Sequence, residues 1–219
     1  MEVSMDLTIF DLDGTLIDSK LDLAHAVNAA LEHLGLPRLT LERIASYVGN
    51  GAPILMRRAI GPEASEEEVA RGLTYFMQYY RDHMLDYTTL YPGVRETLDL
   101  LRGRGAQMAV LTNKPVGLSK AIVAGLGLDG HFFQVYGGNS FERKKPHPVG
   151  IEILMSEAGA TPGKTMMVGD SSVDVQTARN AGIQSCGVTY GFQPETLATT
   201  PPDFLIDRMD QLPGILWQN

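Results

Sequence analysis

Cysteine is nearly absent from this chain. Cys186 is the only one in 219 residues, which excludes an intrachain disulfide and a zinc-thiolate cluster. Set in Gln184-Ser185-Cys186-Gly187-Val188, it reads as an inert residue of a buried strand. Basic charge is also scarce. The 18 Lys and Arg against 26 Asp and Glu leave a net charge of −8, which argues against wide contact with nucleic acid or an anionic membrane surface. A small anionic substrate stays compatible, because a metal ion and one lysine can reverse the field inside a pocket. No apolar run approaches the roughly 20 residues of a membrane span. The stretch Met1-Glu2-Val3-Ser4-Met5-Asp6 lacks the basic and apolar regions of a signal peptide, so a reducing cytoplasm is the expected location.

Short apolar runs recur along the chain, each ending in small or polar residues. They are Thr8-Ile9-Phe10, Met108–Leu111, Met166-Met167-Val168, Cys186-Gly187-Val188 and Phe204-Leu205-Ile206. Amphipathic stretches lie between them at 94–104, 116–125, 148–158 and 173–181. Strands alternating with helices of this length predict an α/β fold with a parallel sheet covered on both faces. From about Asp18 to about Thr88 the signals are helical only. Leu23, Ala24, Val27, Leu31 and Leu34 share one helical face, and Gly35 with Pro37 supplies the stop. Ser65 and Glu68 make a capping box ahead of Val69, Leu73, Phe76, Met77, Tyr80 and Met84, which read as core. The expected division is a core of residues 1–17 and 89–219 with a small all-helical insertion at 18–88, a candidate lid.

Asp11-Leu12-Asp13-Gly14-Thr15 follows the first run directly. Side chains alternate in extended chain, so Asp11 and Asp13 share a face, and Gly14 allows a turn. An Asx-turn closing a strand would use the same residues. A calcium loop would not, because the Glu required at its twelfth position is Asp22 here. A second acidic cluster, Gly169-Asp170-Ser171-Ser172-Val173-Asp174, follows Thr165–Val168. Helix capping and the helix dipole account for Asp170 and Asp174 taken singly. Asp170, taken with Asp11 and Asp13 at the carboxyl edge of one sheet, where open α/β sheets bind ligands, calls for a cation. Oxygen ligands without His or Cys point to Mg²⁺. Thr112-Asn113 and Lys145-Pro146 add a hydroxyl, an amide and a positive charge. Together these make a phosphoryl-transfer set, in which positioning and charge neutralisation dominate.

In their order and spacing these stations resemble the haloacid dehalogenase-like superfamily. Phe10–Ser19 is similar to its first motif, Leu111-Thr112-Asn113-Lys114 to its second, Lys145-Pro146 to its third and Gly169–Asp174 to its fourth. The resemblance implies a Rossmann-like core with a helical cap, and a small phosphorylated metabolite as substrate. It makes Asp11 the nucleophile of an aspartyl-phosphate pathway and Asp13 the acid and base. Mg²⁺ would be held by Asp11, the backbone carbonyl of Asp13 and Asp170. Thr112 and Lys145, with Gly14 and Asn113, would bind the phosphoryl group, and Asp174 would orient Lys145. Lys144 is the weaker candidate of the two lysines. An aspartate at position 13 disfavours dehalogenation.

Within the superfamily, Tyr47–Ala52, Tyr91-Pro92-Gly93 and Val188–Gly191 resemble the phosphoglycolate phosphatase group. That likeness makes Asn50, Gly51 and Arg57 candidates for touching the substrate beyond its phosphate. Two alternatives share the motifs: a phosphosugar mutase using the same intermediate, and a non-catalytic binding protein on the same fold. A monomer or homodimer without nucleic-acid or membrane partners is expected.

Overall fold

The computed structural model describes residues 5–217; most of the N-terminal stretch read above for a leader lies outside them. The chain begins with strands β1 (Leu7–Phe10) and β2 (Ile17–Asp18). Four helices follow: α1 (Lys20–His33), α2 (Leu41–Ala45), α3 (Ala52–Ile60) and α4 (Glu66–His83). The chain continues through β3 (Thr89–Leu90), α5 (Val94–Gly103), β4 (Gln107–Leu111), α6 (Val116–Gly125), β5 (Gln134–Tyr136) and α7 (Val149–Ala158). It closes with β6 (Thr165–Gly169), α8 (Ser172–Ala181), β7 (Gln184–Val188), β8 (Phe204–Ile206) and α9 (Leu212–Leu216).

Six strands form one parallel sheet in the order β5-β4-β1-β6-β7-β8. The sheet is buried on both faces, which is why its strands read as near-continuous apolar runs. Phe10, Val110, Val168 and Cys186 belong to one apolar cluster, and Leu7, Ile9, Ala109 and Met167 to another, following the two-residue alternation of a strand. Cys186 is buried, and burial pushes its thiol up to about 12. β5 was not legible as a strand: it is a three-residue edge with one buried apolar side chain, Val135, too short to carry a periodic signal.

Helices α1–α4 occupy the stretch between β2 and β3. α1 buries Leu23, Ala24, Val27 and Leu31 and packs along α4. Ser65 caps α4 reciprocally with Glu68, at 3.2 Å to the Glu68 N–H and 2.9 Å from the Ser65 N–H. The apolar interior of these helices is continuous with that of the sheet. At the crossings between the two regions, Ile17 pairs with Leu90 and Asp18 with Thr89 in an antiparallel ribbon. Asp22, 1% exposed, ties the second crossing to α1. Its carboxylate accepts from the Tyr87 N–H at 3.1 Å, the Thr88 N–H at 2.8 Å and the Thr88 hydroxyl at 2.7 Å.

Removing that carboxylate strands three donors. Asp22→Ala should therefore cost about 2–3 kcal/mol of stability, measured by urea denaturation. A loss below about 0.5 kcal/mol would mean that the clamp is replaceable by water.

Candidate active site

Register alone brings the acidic stations together. Phe10 is level with Val110 on β4 and Val168 on β6, so Asp11, Thr112 and Asp170 leave three adjacent strands within one residue of the same height. The Asp11 N–H donates to the Val168 carbonyl at 2.9 Å, and the Thr112 N–H to the Tyr136 carbonyl at 3.1 Å. Gly14, at φ +84°, lets the chain fold back tightly after β1; a Cβ there would collide with the Asp170 carboxylate, as would one at Gly191. Gly14 thus presses on Asp170 rather than lining the cavity above it.

Lys145 stands between two carboxylates. Its Nζ donates to Asp174 Oδ1 at 2.6 Å and lies 2.9 Å from Asp11 Oδ1, an ion pair without hydrogen-bond alignment. Burial alone would push this ammonium down, but the charges of Asp11 and Asp174 outweigh it and hold the lysine protonated. Asp174 also accepts from the Ser171 N–H at 3.1 Å and its hydroxyl at 2.7 Å, closing a capping box at the start of α8. Asp170 accepts from the Phe192 N–H at 2.6 Å and the Gln193 N–H at 3.3 Å.

Asp11, Asp170 and Asp174 place carboxylate oxygens within 4.8 Å of one another. Burial lifts Asp11 above the usual carboxylate range despite Lys145, to about 6. Burial, then the charges of Asp174 and Asp11, lift Asp170 to about 8. Three buried carboxylates facing one buried ammonium leave an uncompensated negative charge, and the donors are all oxygen. That set fits a hard divalent cation.

Asp13 lines the same cavity but has separate partners. It accepts from the Ser19 hydroxyl at 2.5 Å and from Lys114 Nζ at 2.9 and 3.0 Å. Lys114 also donates to the Tyr80 hydroxyl at 2.7 Å, with its Nζ 4.5 Å from the centre of the Tyr80 ring. Burial opposes the charge on Lys114, but Asp13 and Tyr80 outweigh it and raise its pKa.

The cavity over this edge is lined by Asp11, Asp13, Thr112, Asn113, Gly51 and Asp170, among others. Its far wall comes from α1, α3 and α4 and is mainly apolar, with Leu23, Leu55 and Phe76. Three side chains from the sheet region bind backbone carbonyls of the loop at 46–50. Asn113 Nδ2 donates to Gly49 at 2.9 Å, Lys144 Nζ to Asn50 at 2.6 Å, and Gln193 Nε2 to Ser46 and Val48 at 3.0 and 2.8 Å. Asn50 takes part through its carbonyl. Arg57 does not line this cavity: its guanidinium donates to the Ala64 carbonyl at 2.8 Å and pairs with Glu66 at the start of α4. The turn between α3 and α4 engages its charge, so it stands apart from the cavity that its expected substrate contact would need.

The family model of haloacid dehalogenase-like hydrolases matches residues 8–188. The chain belongs to the haloacid dehalogenase-like hydrolase family. Among its relatives, the phosphoglycolate phosphatase of Vibrio parahaemolyticus is 40% identical over 213 residues, covering 94% of this hydrolase and 93% of the relative. That of Chromobacterium violaceum is 45% identical over 187 residues, 84% of each chain. A crystal structure described as a predicted phosphoglycolate phosphatase from Haemophilus somnus superposes with a TM-score of 0.92 at 35% identity, covering 96% of this hydrolase and 97% of that chain. The parallel sheet with helices on both faces is therefore the Rossmann-like core that the motifs implied.

Sequence reasoning missed three residues of the hydrolase's site. Lys114 stood in the second motif, and its charge beside Asn113 was the available signal. Tyr80 was read as core, which it is, but its hydroxyl end is polar and aimed at Lys114. Gln193 lies in a loop without periodicity or motif, so nothing local marked it.

The raised carboxylates carry a pH signature. A folded-state pKa above the unfolded value means that stability is full below the unfolded pKa, near 4, and is lost as pH rises through about 6 for Asp11 and about 8 for Asp170. With a chelator present, the urea midpoint should fall between pH 5 and pH 9 by the equivalent of at least about 1 kcal/mol, and Asp170→Asn should flatten that slope. A midpoint rising over the same range would contradict the assignment.

Proposed function

We propose that this hydrolase is a Mg²⁺-dependent phosphoric monoesterase, with 2-phosphoglycolate as its leading substrate. The class rests on the family and on relatives that are phosphoglycolate phosphatases along nearly their whole length. The observation that carries the chemistry is the meeting of Asp11, Lys145 and Asp170 at one sheet edge, with Asp13 two residues beyond Asp11 and facing the same cavity.

In this reading an Asp11 oxygen attacks phosphorus while the bond from phosphorus to the leaving oxygen breaks. The leaving oxygen takes a proton from Asp13, and an aspartyl-phosphate remains on Asp11. Water then attacks that phosphorus, gives its proton to Asp13, and releases phosphate with the Asp11 carboxylate restored. Lys145 and the Thr112 hydroxyl hold the phosphoryl oxygens, and Asp174 keeps Lys145 in place. Asp11, Asp170 and the Asp13 carbonyl would hold the Mg²⁺, whose charge offsets that of the phosphoryl group.

Residues 18–88 act in this proposal as a cap over a core of residues 1–17 and 89–219. Its apolar wall excludes bulk water during turnover, and the cavity beneath suits a small substrate. The single buried cysteine agrees with a cytoplasmic setting, and no described helix is long and apolar enough to cross a membrane.

Asp11→Asn should reduce phosphate release from any monoester by about 10⁴-fold or more, measured with Mg²⁺ in excess. Activity within tenfold of the unmodified protein would remove Asp11 as nucleophile. In the unmodified protein, chelation should abolish activity and added Mg²⁺ restore it. Release of free phosphate, rather than a rearranged sugar phosphate, is the expected product in a screen of small phosphorylated metabolites. If 2-phosphoglycolate ranks well below sugar phosphates or nucleotides, the substrate assignment fails and the class survives.

A further inference from the structure

Tyr80 is 1% exposed, yet its hydroxyl does not sit in an inert core. It lines the cavity and accepts from Lys114 at 2.7 Å. Among the described residues, no protein group accepts the proton that this hydroxyl itself carries. Lys114 is also the only cationic side chain among the cavity's lining residues. Around the pair the wall is apolar, with Leu23, Leu55, Phe76 and Leu118. A buried donor backed by an ammonium in such a wall awaits an acceptor.

The position of that acceptor follows from the proposed reaction, on which this inference rests. Asp13 must come within hydrogen-bond reach of the leaving oxygen, about 3 Å. Lys114 Nζ is 2.9 and 3.0 Å from the two Asp13 oxygens. A substituent one or two carbons beyond the leaving oxygen is therefore within reach of Lys114 and Tyr80.

We infer that the Tyr80 hydroxyl and the Lys114 ammonium form a specificity-determining pair that reads a carboxylate on the leaving group. The substrate class is then the phosphoric monoester of a short 2-hydroxy acid. Donation from Lys114 to the phenol oxygen polarises the O–H and strengthens its bond to an anion. Burial also raises the Tyr80 pKa to about 12, despite Lys114, so the phenol keeps its proton to donate. A neutral leaving group leaves this buried donor without a charged acceptor, and such mismatches discriminate more strongly than a missing methylene does.

The test compares 2-phosphoglycolate with 2-hydroxyethyl phosphate, which carries CH₂OH in place of the carboxylate, and uses p-nitrophenyl phosphate as a generic ester. The unmodified protein should favour the carboxylate ester. In Tyr80→Phe, the ratio of kcat/KM for the two aliphatic esters should fall by about 10- to 100-fold. Its KM for 2-phosphoglycolate should rise as well, a change that a partly inactive preparation cannot mimic. Lys114→Gln should lower turnover of both esters, since it also releases Asp13, but that of 2-phosphoglycolate more. An unchanged ratio in Tyr80→Phe would overturn the inference, and so would an unmodified protein that treats the two esters alike. Turnover of p-nitrophenyl phosphate alone would overturn it while leaving the phosphatase class standing. Turnover of none of the three would bring down both.

Discussion

The structure depends on one electrostatic constraint, three carboxylates buried within 4.8 Å of one another against a single lysine. Buried charge is tolerated only when it is paired and hydrogen-bonded. The local fold supplies those partners in an orderly way. Ser171 caps α8 together with Asp174, the N–H groups of Phe192 and Gln193 converge on Asp170, and Lys145 reaches across to Asp11. Gly14 and Gly191 leave the space that the Asp170 carboxylate fills. The raised pKa values of Asp11 and Asp170 come first from burial and then from the neighbouring acidic charge that these partners leave in place.

A second set of contacts joins the helices to the sheet edge. Ser19, just before α1, reaches Asp13, and Tyr80 on α4 reaches Lys114, which itself holds Asp13. Asp13 is therefore oriented from both regions at once, whereas Asp11 is held from within the sheet region. Asp22 secures the return crossing a few residues from the ribbon of Ile17–Asp18 and Thr89–Leu90. The two aspartates of the Asp-Leu-Asp run are only two residues apart, yet their electrostatic surroundings are separate.

The sheet was readable because its strands are buried on both faces, so Thr8–Phe10, Met108–Leu111 and Met166–Val168 stand out as apolar runs. Asp11, Thr112, Lys145, Asp170 and Asp174 were readable because each sits at a strand end, beside a proline or in the first turn of a helix, in short motifs that chemistry constrains. Contacts made across long separations were not readable. Tyr80 and Lys114 lie 34 residues apart, and Gln193 reaches back 145 residues to Val48. Periodicity reports which face of an element is apolar, and it is silent on which polar tip meets which. Arg57 is a further case, since the family likeness marked it as a candidate substrate contact and only the folded chain shows its guanidinium meeting Glu66 and the Ala64 carbonyl.

The loop at 46–50 is held by Asn113, Lys144 and Gln193 through four of its carbonyl oxygens. A carbonyl is common to every amino acid, so this attachment is blind to the side chains it fastens. Ser46, Val48 and Asn50 can be exchanged for residues of other size or polarity without dissolving a single one of those bonds. Gly49 and Gly51 are less free, at φ +102° and +84°. Mutational drift, or a library built at 46, 48 and 50, can therefore explore new chemistry beside the cavity while the means of fastening the loop stays as it is.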